Sequence, residues 1–196
     1  MTGLACFGIG IAFFVRANLG LPPWDVFHQG ISGRTGISLG FVLIIVAFLV
    51  LLLWIPLRLR PGIGTLLNAV EIGLVEVVAQ EIIPEAENLV VRLLFMACGM
   101  VVIAAGSGLY IGAELGPGPR DGLMVGLNAR FGISVRLART VVEISVMISG
   151  IILGGSVGLG TLVFALGIGP LVQTTLRMFG MKQPAVVEAA GEALNQ

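Results

Sequence analysis

The chain repeats itself without a gap at an offset of about 96 residues, carrying Gly20 onto Gly116 and Gly62 onto Gly158. Ala17-Asn18-Leu19-Gly20-Leu21-Pro22-Pro23-Trp24-Asp25 lies over Ala113-Glu114-Leu115-Gly116-Pro117-Gly118-Pro119-Arg120-Asp121. In the same register Gly30 meets Gly126, Arg34 meets Arg130, and Gly36-Ile37-Ser38 meets Gly132-Ile133-Ser134. Gly62-Ile63-Gly64-Thr65-Leu66 likewise meets Gly158-Leu159-Gly160-Thr161-Leu162. The chain must therefore build one unit twice, over residues 1–88 and 89–179, with 180–196 left as a tail. An internal repeat is a common ground plan of secondary transporters when the repeated unit is membrane-embedded.

Composition places this unit in a bilayer. Of 196 residues, 57% are hydrophobic and 11% charged, with a mean hydropathy of +1.05, far from the balance of soluble domains. The net charge is zero, and no basic run interleaves with aromatics, so nucleic acid is not an expected partner. Cys6 and Cys98 lie in apolar stretches and do not correspond under the offset, which suits packing residues better than a disulfide or a metal site. His28, the single histidine, lacks the companions a zinc site needs, and no cofactor is implied. No basic region precedes the first apolar stretch, so no cleaved signal peptide is expected. The repeat partner of the first helix extends back to about Val91, so a complete matching helix would begin before residue 1.

Apolar stretches at 3–17, 38–56, 63–83, 89–112, 137–155 and 159–178 approach the ~20 residues a helix needs to cross the hydrocarbon. Backbone in lipid must satisfy its own hydrogen bonds, so these are predicted helices. Pro22 to Gly36 and Gly118 to Gly132 are too short and too polar to span, yet each opens with proline and closes with glycine as helices do. Both are predicted to be short helices, re-entrant or interfacial. If they do not cross, one side receives Arg58, Arg60, Arg120, Arg130, Arg136, Arg139, Arg177 and Lys182, and the other Arg16, Arg34 and Arg92. The positive-inside rule favours that arrangement. It gives an all-α membrane protein whose six transmembrane helices form two inverted three-helix repeats, with both termini cytoplasmic and Glu81, Glu85 and Glu87 outside.

The matched Gly-Pro segments are the strongest functional candidates, because a helix that starts anew there presents free N–H groups and a positive dipole end. Two readings of Asp25 and Asp121 stay open: caps of those helix starts, or binding groups for a substrate or coupling ion. Glu71 and Glu76 fall inside the third span and Glu143 inside the fifth; an acid within a span usually faces a cavity or a partner. Arg139 stands four residues before Glu143 and neutralises it in the simplest account, whereas Glu71 has no local cation and shares a helix face with Asn68. Trp24, whose repeat counterpart is Arg120, and Trp54 near a helix end suit membrane interfaces, with lining an entry path a second reading of Trp24. Arg34 and Arg130 suit interfacial snorkelling better than substrate binding. The Gly-x-Gly-Thr pairs suit tight helix starts or close helix packing, since no strand precedes them and no lysine follows.

Leu19-Gly20-Leu21-Pro22-Pro23-Trp24-Asp25-Val26-Phe27-His28-Gln29-Gly30, its counterpart from Leu115 to Met124, and Arg34-Thr35-Gly36-Ile37-Ser38-Leu39-Gly40 resemble the YczE/YyaS/YitT family of bacterial multi-pass membrane proteins, most closely its YczE branch. The resemblance runs to about Phe179. It implies a duplicated helical bundle in the bacterial inner membrane; it supplies no substrate and no catalytic residues.

The leading functional expectation is a small-solute secondary transporter or permease, with Asp25 and Asp121 at the two re-entrant tips, Trp24, Arg120 and Asn68 beside them, and Glu71 as a coupling site. The partners expected are the bilayer and an unidentified solute. A homodimer is an open expectation, with Gly8, Gly10, Gly99 and Gly106 allowing close helix contact. The alternative is a non-transporting scaffold or regulator of a cytoplasmic partner, working through the Arg120 to Arg139 region. An enzyme is least favoured, since no nucleophile, metal or paired-carboxylate signature is present.

Overall fold

A computed structural model describes residues 1–113 and 116–179; the expected tail, 180–196, lies outside the described residues, as do Glu114 and Leu115. The described residues form eight helices and no strand: α1 (Thr2–Ala17), α2 (Pro23–Thr35), α3 (Leu39–Leu57), α4 (Ile63–Ile82), α5 (Leu89–Gly112), α6 (Pro119–Phe131), α7 (Val135–Leu153) and α8 (Leu159–Met178). Helices α3, α4, α5 and α8 are long and apolar enough to cross a membrane. Helix α1 is apolar but has 16 residues, and α7, with 19, carries Arg136, Arg139 and Glu143. The 13 residues of α2 and of α6 rise about 20 Å at ~1.5 Å per residue, short of the ~30 Å hydrocarbon.

Side-chain bulk, or its absence, decides how these helices meet. A Cβ on Gly3 would lie 2.8 Å from the Gly106 carbonyl oxygen, and one on Gly10 would lie 2.8 Å from that of Gly99. Gly3 and Gly99 are repeat counterparts, as are Gly10 and Gly106, so the two contacts exchange under the offset and α1 runs antiparallel to α5. Gly8 faces the Ile72 carbonyl of α4. The four glycines expected to serve dimer contact are thus occupied by helices of the same chain.

Further contacts interleave the two halves: α2 packs on α7 and α6 on α3. Bulk is traded at these junctions. Trp54 of α3 fills the space before Gly122, whose Cβ would lie 2.1 Å from the indole, while Val26 and Phe27 of α2 fill the space before Gly150, whose Cβ would lie 2.6 Å from the Phe27 nitrogen. Trp54 corresponds to Gly150 and Gly122 to Val26, so each junction has one bulky and one empty member, on opposite sides of the repeat. Trp54 is 2% exposed and donates its indole N–H to the Pro119 carbonyl at 3.0 Å. That corrects the interfacial expectation for this residue: burial gives its N–H a backbone partner at the start of α6.

The Gly-x-Gly-Thr segments act as clasps between halves. Gly62 N–H donates to Thr65 Oγ1 and Gly158 N–H to Thr161 Oγ1, both at 3.2 Å. Thr65 donates onward to the Pro117 carbonyl at 2.8 Å, and on the other side Gly160 N–H donates to the Leu19 carbonyl at 2.7 Å. Gly20 and Gly116, at φ +102° and +115°, are the residues so held; a Cβ on Gly20 would lie 2.4 Å from the Gly158 nitrogen. Only glycine joins that backbone angle to that approach. The clasps therefore fix where α2 and α6 begin.

A buried polar cluster where the two short helices begin

Pro22 and Gly118 occupy the N-cap positions of α2 and α6, with Pro23 and Pro119 in the first turn, and neither helix has a side-chain cap. The first-turn aspartates are directed elsewhere. Asp25 is 2% exposed; its Oδ1 takes a hydrogen bond from His28 Nδ1 at 3.0 Å and lies 3.9 Å from Arg120 Nη2. The guanidinium of Arg120 stacks over the Trp24 ring, 4.8 Å from its centroid. Asp121 Oδ2 accepts from the Tyr110 hydroxyl at 2.9 Å. Asn68 reaches the same place: a Cβ on Gly118 would lie 3.3 Å from its amide nitrogen and 3.4 Å from Asp121 Oδ2.

Five of the expected residues, Asp25, Trp24, Arg120, Asp121 and Asn68, are thus gathered around the beginnings of α2 and α6. Trp24 is buried beneath Arg120, to which it corresponds under the offset. Glu71 is not in the cluster; its Oε2 lies 4.0 Å from the Met1 ammonium and has no hydrogen bond. Glu143 has its expected partner, Arg139 Nε at 2.9 Å. Arg34 donates from Nε to the Leu153 carbonyl at 3.1 Å and from Nη2 to that of Ile152 at 2.9 Å, closing the end of α7 where a cation also meets the negative dipole end.

His28 and Tyr110 join the site without having been expected there. His28 is fully buried, and its Nε2 has no partner. Its signal was the three-residue spacing from Asp25, which puts both on one helix face. Tyr110 is the single tyrosine of the chain. It reaches Asp121 across the break between α5 and α6, and no local periodicity announces that.

Two cavities lie at opposite ends of α1 and α4. One, of about 150 Å³, is lined by Met1 to Leu4, Gly64, Leu67 and Tyr110. The other, of about 430 Å³, is lined by Arg16, Gln29, Ser32, Glu76 and Gln80. Tyr110, on the first wall, touches Asp121, and Gln29, on the second, lies one turn beyond Asp25.

Long apolar helices, lipid-compatible outer faces such as Phe48, Leu49, Leu52 and Leu53 on α3, and a polar centre define a multi-helix membrane protein. The profile of a family of unknown function, DUF6198, matches residues 1–177, and the chain belongs to that family. It is 42% identical over 178 residues to an uncharacterized protein of Haemophilus influenzae, covering 91% of this chain and 82% of the relative. It is 31% identical over 177 residues to the uncharacterized membrane protein YczE of Bacillus subtilis, covering 89% and 82%. With YyaS of the same organism the identity is 25% over 166 residues, covering 82% of both chains. The YczE-like resemblance is thereby established. No solved structure matches.

Proposed function

We propose that the protein is a small-solute transporter of the bacterial inner membrane, with six crossings in two inverted repeats and both termini cytoplasmic. The carrying observation is the buried polar cluster at the matched helix starts, lying between two cavities at opposite ends of α1 and α4. A site between two vestibules is what alternating access requires, and helix starts at membrane depth offer N–H groups and a positive end to a solute. The antiparallel run of α1 and α5, which are repeat counterparts, favours inversion, as does the uneven arginine distribution. Asp25, Arg120 and Asp121 are the binding groups, Trp24 and Tyr110 close the site, and Asn68 lines it. One observation favours the alternative, a scaffold: Asp25 is buried, and neither of these two cavities is lined by Asp25 or Asp121.

Labelling at the centre decides between them. In a chain lacking Cys6 and Cys98, a cysteine at position 24 is exposed to a membrane-impermeant maleimide on intact cells and on inverted vesicles. A transporter gives slow labelling from both faces, with opposite changes in rate when a transported solute is added. Absence of labelling from both faces, while loop cysteines react normally, would leave the scaffold reading.

A further inference from the structure

Glu76 on α4 is completely buried. Its Oε1 accepts a hydrogen bond from Gln80 one turn on, while its Oε2 faces the backbone of Gly40 and makes no hydrogen bond of ordinary geometry. Gly40 of α3 closes over that oxygen, so that a Cβ there would lie 2.6 Å from Oε2. The charges acting on Glu76 are Asp25 from α2 and Arg16 from α1. Arg16 is engaged elsewhere, donating to the Gln80 carbonyl and to Glu85. Helix α3 contributes no ionisable side chain, and Glu81 is the other acid on the cavity wall. Glu76 makes no ion pair among the described residues.

A carboxylate removed from water without a cation is costly, and the cost falls when it takes a proton or a cation from an adjoining space. Such a space is present. The cavity of about 430 Å³ has Glu76 in its wall, with Gln29, Ser32, Ser38 and Gln80 beside it, and a space of that size with several polar partners has room for water. We propose that Glu76 is a proton-binding site, loaded and unloaded through water in this cavity. One carboxylate oxygen takes a proton from a hydronium ion, leaving water, and release returns the proton to water. A role in coupling rests on the transporter reading; proton binding itself does not.

The test uses the full chain in phospholipid nanodiscs, treated with dicyclohexylcarbodiimide over a pH series and read by peptide mass spectrometry. That reagent adds to protonated carboxyls in apolar surroundings. Glu76 is expected to react severalfold faster than Glu81 and Glu85, with its rate falling about tenfold per pH unit above the midpoint, as for one titrating group. Infrared difference spectra give a second reading: the protonated-carboxyl stretch should vanish in Glu76→Gln and persist, displaced, in Glu76→Asp. Reaction at Glu76 no faster than at Glu81, or independent of pH, would overturn the proposal. An unchanged carboxyl band in a folded Glu76→Gln protein would do the same. Neither readout needs transport, so failure here is distinct from failure of the labelling at position 24.

Discussion

Asp25 and Asp121 occupy matched positions in the first turns of α2 and α6, yet Asp25 is 2% exposed and holds both His28 and Arg120, whereas Asp121 is half-buried and accepts one hydrogen bond from Tyr110. Beneath them the supports are nearly the same twice over, with Gly20 and Gly116 seated against the Gly-x-Gly-Thr segment of the other half. The difference lies in what each contact tolerates. Both glycines stand at positive φ, and at Gly20 an added Cβ would also strike the Gly158 backbone, so both copies must keep glycine. Where side chains meet, the copies are free to diverge. At Trp24 and Arg120 divergence supplies a charge: two arginines facing each other would repel, two tryptophans would stack but offer Asp25 no cation, and Arg over Trp gives a cation over a ring beside Asp25.

The sharpest way to break the comparison is to equalise the traded bulk. Gly122→Val drives a branched side chain into Trp54 and should cost about 3 kcal/mol or more by overpacking. Adding Trp54→Gly recreates the Val26 and Gly150 pairing and should recover part of that loss, read as thermal unfolding in detergent. No recovery in the double variant would mean that the junctions are not equivalent. Next comes Arg120→Ala, which leaves Asp25 buried with His28 alone. Because Arg120 stands at 3.9 Å and is partly exposed, about 2–3 kcal/mol is expected, toward the lower end for a broken buried pair. Asp121→Ala, which leaves the Tyr110 hydroxyl without its acceptor, should cost about 1 kcal/mol, the value of one hydrogen bond.

Two smaller changes sharpen the symmetric part. Thr65→Val loses a donor to Pro117 as well as an acceptor for Gly62, whereas Thr161→Val loses only an acceptor for Gly158. Thr65→Val should therefore be the more damaging, by about 1 kcal/mol. Arg58 ends α3 at φ 56°, where its counterpart Gly154 ends α7 at φ 98°. Arg58→Gly should stabilise the protein by up to about 1 kcal/mol, since left-handed backbone is unfavourable for residues bearing a Cβ. A loss of stability would show that the Arg58 side chain outweighs its backbone strain.

Helix positions were legible because apolar run length and Pro/Gly punctuation are local properties. The two short helices observed at 23–35 and 119–131 lie within a residue or two of the sequence boundaries. The clasp function of Gly-x-Gly-Thr was legible as far as close packing, though not the identity of the loop it grips. Partners set by the third dimension were not legible. Tyr110 meets Asp121 across the junction of α5 and α6, and Arg34 closes a helix more than a hundred residues away. Glu71 and Glu76 look alike as acids in one apolar span. Burial separates them: Glu71 is partly exposed beside an ammonium group, and Glu76 is buried under Gly40 at the wall of the larger cavity. Trp54 misled for a similar reason, because a tryptophan near a helix end looks interfacial until another helix start is found against it.

The proposed arrangement has two oppositely oriented halves meeting at a polar centre with a vestibule on each side. Single cysteines at Ser32 and Leu109, which line the two cavities, test it directly in a chain lacking Cys6 and Cys98. A membrane-impermeant maleimide should label position 32 on intact cells and position 109 only on inverted vesicles. Labelling of both from the same face would contradict the account.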